Sequence, residues 1–266
     1  AGSGGPACCG RCRQGSNGGE VERRCAYTTL LFGARPQFVL GAIALGRSLA
    51  DTGTRHDRVL LHTPDVPGEA LALLEEFWAL RQVQYIASAD DLHMQERFKD
   101  VFTKLHALNP EALPYDRVVF LDLDTLVLRN IDDLFEVRPP AAMYNLKSQR
   151  APPPPKHGER MDARHCYFNA GAMVLSPSRP LFDALVADVQ LADPQWHRPA
   201  WSPEQSYLSS VLAGELSNIS QLYNFEVQLH SGVPLSDVWK QASADQVVVA
   251  HFSGRNKVWD MDPQQD

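Results

Sequence analysis

From residue 26 onward, apolar runs alternate with stretches whose apolar residues recur at helical spacing. Ala26-Tyr-Thr-Thr-Leu-Leu-Phe32 reads as a buried strand, and Gln37–Ala50 as a helix carrying Phe38, Ile43, Leu45 and Leu49. Arg58–His62 predicts a second strand, Pro67–Leu80 a helix opened by Pro-Gly, and Gln82–Ile86 a third strand. Glu96–Leu108 follows as a helix stopped by Asn109-Pro110, and Asp116–Leu128 holds the most apolar strand of the chain. Three strand–helix units feeding a central strand predict an α/β fold with a mostly parallel sheet flanked by helices.

Beyond residue 130 the regularity ends. Pro139-Pro140 and Pro152–Pro155 bracket a loop region, and the four-proline run reads as an extended polyproline surface loop. Phe168–Leu175 and Gln246–Phe252 read as strands, Pro180–Leu191 and Pro203–Leu212 as helices. No repeat or linker divides the 266 residues, so the expectation is a single domain at residues 26–266 behind a disordered Gly/Cys-rich tail at residues 1–25.

Charge separates the two parts. Residues 1–25 carry a net +2 and the remainder −9. An acidic body with a pI near 5.7 has no basic stripe for phosphates, which argues against nucleic acid or an anionic membrane surface as partner. The longest nearly apolar stretch, Phe38–Gly46, is far short of the roughly 18–20 residues that cross a bilayer. With no charged segment followed by an apolar one at the start, a cytoplasmic location is expected. The secretory-pathway lumen is the alternative if an upstream anchor was removed. Cys8, Cys9, Cys12 and Cys25, with Cys166 alone in the body, do not form a disulfide framework. A mobile reduced tail and a structural zinc site are the two readings, the second lacking a clean second C-x-x-C pair.

Candidate chemistry sits at Val118-Val-Phe-Leu-Asp122-Leu-Asp124-Thr-Leu-Val-Leu128. Two carboxylates end an otherwise apolar strand, on one side of it if the strand is continuous. Paired carboxylates close to burial cost several kcal/mol without a cation, and a hard divalent metal is the natural compensation. The carboxyl end of a strand is also where open α/β sheets place ligands. Two rival readings are an exposed turn with solvated aspartates and a haloacid-dehalogenase-type phosphatase with an aspartate nucleophile. The phosphatase signature opens its fold on the first strand, whereas this motif follows three strand–helix units.

Read in order, Thr29–Gly33, Leu45–Leu49, Phe102-Thr-Lys-Leu-His106, Tyr115–Leu134 with its Asp-x-Asp core, Phe168-Asn-Ala-Gly171, Pro203-Glu-Gln205, Tyr223-Asn-Phe225 and His251–Trp259 resemble glycosyltransferase family 8. This is the glycogenin-like group, with a Rossmann-like GT-A fold. The resemblance covers nearly everything from Thr28 to Trp259. It implies that Asp122, Asp124 and His251 hold Mn²⁺, with Leu123 between the two aspartates, and that a UDP-sugar is the donor substrate. Lys257 and the backbone at Gly254 would meet the diphosphate, Lys104 the donor sugar and phosphate. Leu30, Leu31 and Phe32 would cradle uridine, and Phe38 stands near a family tyrosine that stacks on uracil. Asn169, with Ala170 and Gly171, would meet sugar hydroxyls, and Glu204 and Gln205 stand where the family has Asp-Gln. Asn169, Glu204, Gln205 and Lys104 are thus the expected catalytic set. On their own, His251 reads as a packed core residue, Lys257 as a solvated cation, Lys104 as the polar face of a helix and Glu204 as a helix-start carboxylate.

The resemblance further implies transfer with retention at the anomeric carbon, without an obvious covalent nucleophile. UDP-galactose or UDP-glucose is the expected donor, and a homodimer is compatible. Glycogenin glycosylates its own tyrosine; the corresponding count here lands on Ser231, and no tyrosine follows Tyr223. A separate glycan or glycoprotein acceptor is therefore expected over a self-glucosylating primer, as in the cytoplasmic protist galactosyltransferases that extend a glycan on a ubiquitin-ligase adaptor. A catalytically idle nucleotide-sugar binding module is the alternative from another class.

Overall fold

The computed structural model describes residues 11–12, 23–88, 100–145, 154–165, 167–191, 203–227, 243–254 and 257–260. In chain order the strands are β1 (Arg11–Cys12), β2 (Arg23–Leu31), β3 (Asp57–His62), β4 (Ala79–Gln82), β5 (Arg117–Leu121), β6 (Thr125–Val127), β7 (Ala141–Tyr144), β8 (Phe168–Leu175), β9 (Ser217–Asn218), β10 (Phe225–Glu226) and β11 (Val249–His251). The α-helices are α1 (Pro36–Asp51), α2 (Gly68–Leu74), α3 (Arg179–Leu191) and α4 (Pro203–Val211). Val101–Leu108 and Asp132–Glu136 form 3₁₀ helices.

The main sheet runs β4-β3-β2-β5-β8-β7-β9, with β1 antiparallel to the start of β2. β4, β3, β2 and β5 are mutually parallel, β8 is antiparallel to β5 and β7, and β9 is parallel to β7. This is the expected mostly parallel sheet flanked by helices. From Cys25 to Leu31 every residue of β2 is buried, the mark of a strand covered on both faces. Alternation sends Leu30, with Leu61 and Phe120, against Phe102, Leu185 and Tyr207. Leu31 and Tyr27 turn the other way, into the layer with Leu45, Leu49, Leu74 and Phe135.

A second sheet, β10-β11-β6, sits at the carboxyl end of β5. Its existence corrects the reading of Asp116–Leu128 as one strand. The chain leaves the main sheet after Leu121, turns through Asp122–Asp124 and enters the small sheet at Thr125. The turn is closed by Thr125, whose N–H and Oγ1 both donate to the Asp122 carbonyl at 3.1 and 2.7 Å. Apolar content could not reveal the break, because both segments are buried. The last strand is likewise shorter than Gln246–Phe252, since Ala244–Gln246 forms a 3₁₀ turn. The helix read over Pro67–Leu80 stops at Leu74, and the third strand is Ala79–Gln82 rather than Gln82–Ile86. β4 is an edge strand with three of its four residues exposed, so it lacks the apolar alternation that marks a strand. At the start of the chain, Arg23–Cys25 and the Arg11–Cys12 pair already belong to the sheet. Cys25 is buried, while Cys8, Cys9, Cys166 and Ser231 lie outside the described residues. Among the described residues, no helix is long and apolar enough to cross a membrane.

Candidate active site

The Asp122–Asp124 turn is held from three sides. The Asp122 N–H donates to the Gly171 carbonyl of β8 at 2.9 Å, and the Phe252 N–H donates to the Asp124 carbonyl at 2.9 Å. From the third side α1 presses a glycine on it: a Cβ on Gly41 would lie 2.6 Å from the Leu123 carbonyl oxygen. The backbone of the acidic pair is therefore set by packing before any ligand arrives.

β11 lies antiparallel to β6 with His251 opposite Thr125, which brings the imidazole to the carboxylates. One ligand atom each from Asp122, Asp124 and His251 lies within 4.8 Å of the others. His251 is 4% exposed; its Nε2 is 3.3 Å from Asp124 Oδ1 and its Nδ1 is 2.7 Å from Asn224 Oδ1. Lys257 Nζ donates to Asp124 Oδ2 at 2.5 Å and to the Phe252 carbonyl at 3.0 Å. Lys104 Nζ lies 2.9 Å from Asp122 Oδ1 and 3.6 Å from Glu204 Oε1, above the ring of Phe120.

These pairings decide the charge states. Burial alone pushes the Asp124 carboxyl up, but His251 and Lys257 outweigh it and hold the group well below the usual carboxylate range. Burial lowers Lys104 and His251, yet the surrounding carboxylates win and both sit above their ordinary values. Asp124 Oδ1 thus faces the His251 imidazole and Oδ2 the Lys257 ammonium. Two carboxylates and an imidazole in mutual reach fit a divalent cation.

A pocket of about 280 Å³ opens beside the cluster. It is lined by Leu30, Phe32, Phe38, Lys104, Asp122, Leu123, Asp124, Glu204 and Lys257, joined by Val101, Phe120 and Trp259. Its apolar end includes Phe38 and Trp259, packed edge to face with centroids 6.0 Å apart. The other expected residues stand elsewhere. The Leu31 side chain faces the opposite side of the sheet. Asn169 and Gln205 turn their amides inward: Asn169 Nδ2 donates to Glu226 Oε1, and Gln205 Oε1 accepts from the Ala170 N–H. At Gly171 the close approach is made by the His251 ring, not by open space for a ligand. Gly254 has φ +106°, a conformation that favours glycine, and does not line the pocket.

The profile of glycosyl transferase family 8 matches residues 34–262. The chain belongs to that family. The family is one of glycosyltransferases, and the small sheet carrying His251 brings that side chain to Asp122 and Asp124. The chain is similar to an uncharacterised protein, R707, of Acanthamoeba polyphaga mimivirus, 32% identical over 88% of this chain and 82% of that one. It is 31% identical to inositol phosphorylceramide glucuronosyltransferase 1 of Arabidopsis thaliana over 91% of this chain, and spans 44% of that protein's length. The fold matches the glycosyltransferase GlyE of Streptococcus pneumoniae with a TM-score of 0.64 at 17% identity, over 88% of this chain and 55% of that one.

Three residues of this family 8 site escaped the sequence reading. Trp259 and Asn224 lie inside motifs that carry the resemblance, but no role attached to either. Glu226, 5% exposed and hydrogen-bonded to Asn169 and Ser253, stands in no motif and left no trace in the residue pattern.

Proposed function

We propose that the protein transfers a hexose, galactose or glucose, from a UDP-sugar to a separate glycan or glycoprotein acceptor, with retention at the anomeric carbon and dependence on Mn²⁺. The observation that carries the reading is the convergence of Asp122, Asp124 and His251 at the rim of a pocket that also holds two lysines. Asp122, Asp124 and His251 would hold the metal, which when bound supplies Lewis-acid stabilisation of the departing diphosphate.

The chain's own groups do the rest. Leu30, Phe32, Phe38 and Trp259 offer an apolar end for the uracil and exclude water there. Lys257, now engaged with Asp124, reaches the diphosphate by rotating its side chain and takes up developing negative charge. Lys104, pinned between Asp122 and Glu204, cannot wander and so orients the donor between phosphate and sugar. Among the described residues Glu204 is the pocket-lining carboxylate outside the metal cluster, and it would bind a sugar hydroxyl. Ser231, at the counted position of the acceptor tyrosine, supports an acceptor separate from the chain, and a cytoplasmic site of action is part of the same reading.

The test is UDP release from UDP-galactose, UDP-glucose and UDP-glucuronate, each with Mn²⁺ and with EDTA. Release from a neutral hexose donor that EDTA abolishes supports the proposal; metal-independent release, or none from any donor, overturns it. A hexuronate donor is the second reading, favoured by the glucuronosyltransferase among the relatives, and preference for UDP-glucuronate in the same panel would select it.

A further inference from the structure

We infer that Asn224 is a positioning residue that presents Nε2 of His251 as the metal-binding nitrogen. The inference rests on the proposed metal-dependent reading of the site and names the part of the chain that prepares one of its ligands.

A histidine offers a lone pair on one ring nitrogen only when the other carries the proton, and the partner of that other nitrogen decides which is which. Here the decision traces back through a chain of hydrogen bonds to a group that cannot be reversed. The backbone N–H of Gly171 donates to Asn169 Oδ1 at 2.8 Å. A backbone N–H is a donor and nothing else, so the end of the Asn169 amide that faces it is the oxygen. The other end, Nδ2, then faces Glu226 Oε1 at 2.9 Å, and a carboxylate is the acceptor it needs. Both ends of Asn169 are thereby assigned by independent neighbours.

The same Asn169 oxygen lies 3.0 Å from the Asn224 amide. Only the NH₂ end of Asn224 can donate to it, so the Asn224 oxygen points the opposite way, to His251 Nδ1 at 2.7 Å. An amide oxygen accepts and never donates. Nδ1 of His251 must therefore carry a proton, and Nε2, 3.3 Å from Asp124 Oδ1, is the nitrogen left to bind a cation.

Packing holds the relay in register. Asn224 is fully buried, Asn169 6% exposed and Glu226 5% exposed, so water does not compete for these bonds. Glu226 and His251 are paired neighbours on the parallel strands β10 and β11, and the His251 ring packs so closely on Gly171 that a Cβ there would meet its Cε1 at 2.3 Å. Asn224 stands in Tyr223-Asn-Phe225 and does not line the pocket; the relay gives it a role.

The experiment is a double-mutant cycle on metal affinity, read by Mn²⁺ electron paramagnetic resonance titration with no donor or acceptor present. Asn224→Ala is expected to weaken Mn²⁺ binding by about 10–100-fold, the usual cost of removing a group that orients a ligand. In a His251→Ala background the same substitution is expected to change the affinity by less than about twofold, because the residue through which Asn224 acts is gone. An equal loss in both backgrounds shows a general structural role and overturns the inference, as does unchanged affinity of Asn224→Ala. A wild-type protein that binds no Mn²⁺ defeats the functional reading itself, a result distinct from either. Should Asn224→Ala fail to fold, the wild type still decides the matter. In the Mg²⁺-saturated protein, long-range ¹H–¹⁵N spectra with His251 assigned by substitution are expected to show the proton on Nδ1. A proton on Nε2 with a bare Nδ1 overturns the assignment.

Discussion

Gly171→Ala tests how tightly the wall of the site is built. A methyl at this position would lie 2.3 Å from His251 Cε1, 2.6 Å from His251 Nδ1 and 2.9 Å from Asn169 Oδ1. Carbon–carbon contacts of this kind relax to about 3.5–4.0 Å, so the imidazole must retreat by more than about 1 Å or β8 must shift. Neither movement is free, since the ring is buried and hydrogen-bonded to Asn224. Overpacking of this sort costs about 1–3 kcal/mol, which for a chain of this size lowers Tm by roughly 2–12 °C. The same retreat takes Nε2 away from Asp124, so metal affinity is expected to fall by more than about tenfold while most of the fold survives. Differential scanning calorimetry gives the first quantity and Mn²⁺ titration calorimetry the second. Gly68→Ala is the control: nothing lies within 4 Å of a Cβ there and the residue opens α2, so neither quantity is expected to drop. A Gly171→Ala protein with wild-type Tm and wild-type Mn²⁺ affinity would refute the packing argument.

Four further outcomes are expected. Asp122→Asn, Asp124→Asn and His251→Ala each abolish Mn²⁺-stimulated hydrolysis of a UDP-sugar while far-ultraviolet circular dichroism stays at wild type. Gly41→Ala drives a methyl toward the Leu123 carbonyl at 2.6 Å and is expected to weaken both UDP and Mn²⁺ binding, measurable by calorimetry, although residue 41 bears no functional group. Trp259→Ala removes half of the edge-to-face pair with Phe38 and should raise the Kd for UDP by about twofold to thirteenfold, the worth of about 0.5–1.5 kcal/mol of aromatic contact. At Asp132, burial raises the carboxyl, but hydrogen bonds from Thr54, Tyr27 and Asn130 outweigh it and the net shift is downward. A depressed pKa means stability that is present above the unfolded value of about 3.9 and lost as pH falls through the folded one. Asp132→Asn should therefore cost about 1–2 kcal/mol at pH 7, and urea melts should show the difference from wild type shrinking as the pH falls below about 4.

What the residue pattern could reveal depended on how the chain is buried. β2, β5 and β8 are central strands, apolar on both faces, and β8 runs over the Phe168–Leu175 stretch expected of it. α1, α3 and α4 carry helical apolar spacing and lie within a few residues of where that spacing put them. β4, β9 and β10 are short or exposed edge segments, whose pairing is decided by neighbours distant in sequence and invisible to local periodicity. The turn at Asp122–Asp124 hid for the opposite reason: apolar residues continue on both sides of it while the backbone changes sheets. Within the site, carboxylates at the end of an apolar strand were conspicuous because burial of charge demands an explanation. Asn224 and Glu226 were not, because a buried amide or acid is recognised only when its partners are known, and those partners lie 27 and 57 residues away in the chain. Asn169 and Gln205 illustrate the same limit, since their motif was readable but the direction of their amides was not.

Anomalous diffraction from a crystal soaked with Mn²⁺ and UDP addresses the central claim most directly. The account predicts a single strong manganese peak among Asp122, Asp124 and Nε2 of His251, with the uracil in the pocket against Phe38 and Trp259 and Lys257 released from Asp124. A well-ordered UDP with no metal at these three residues, or a metal bound elsewhere, would contradict it.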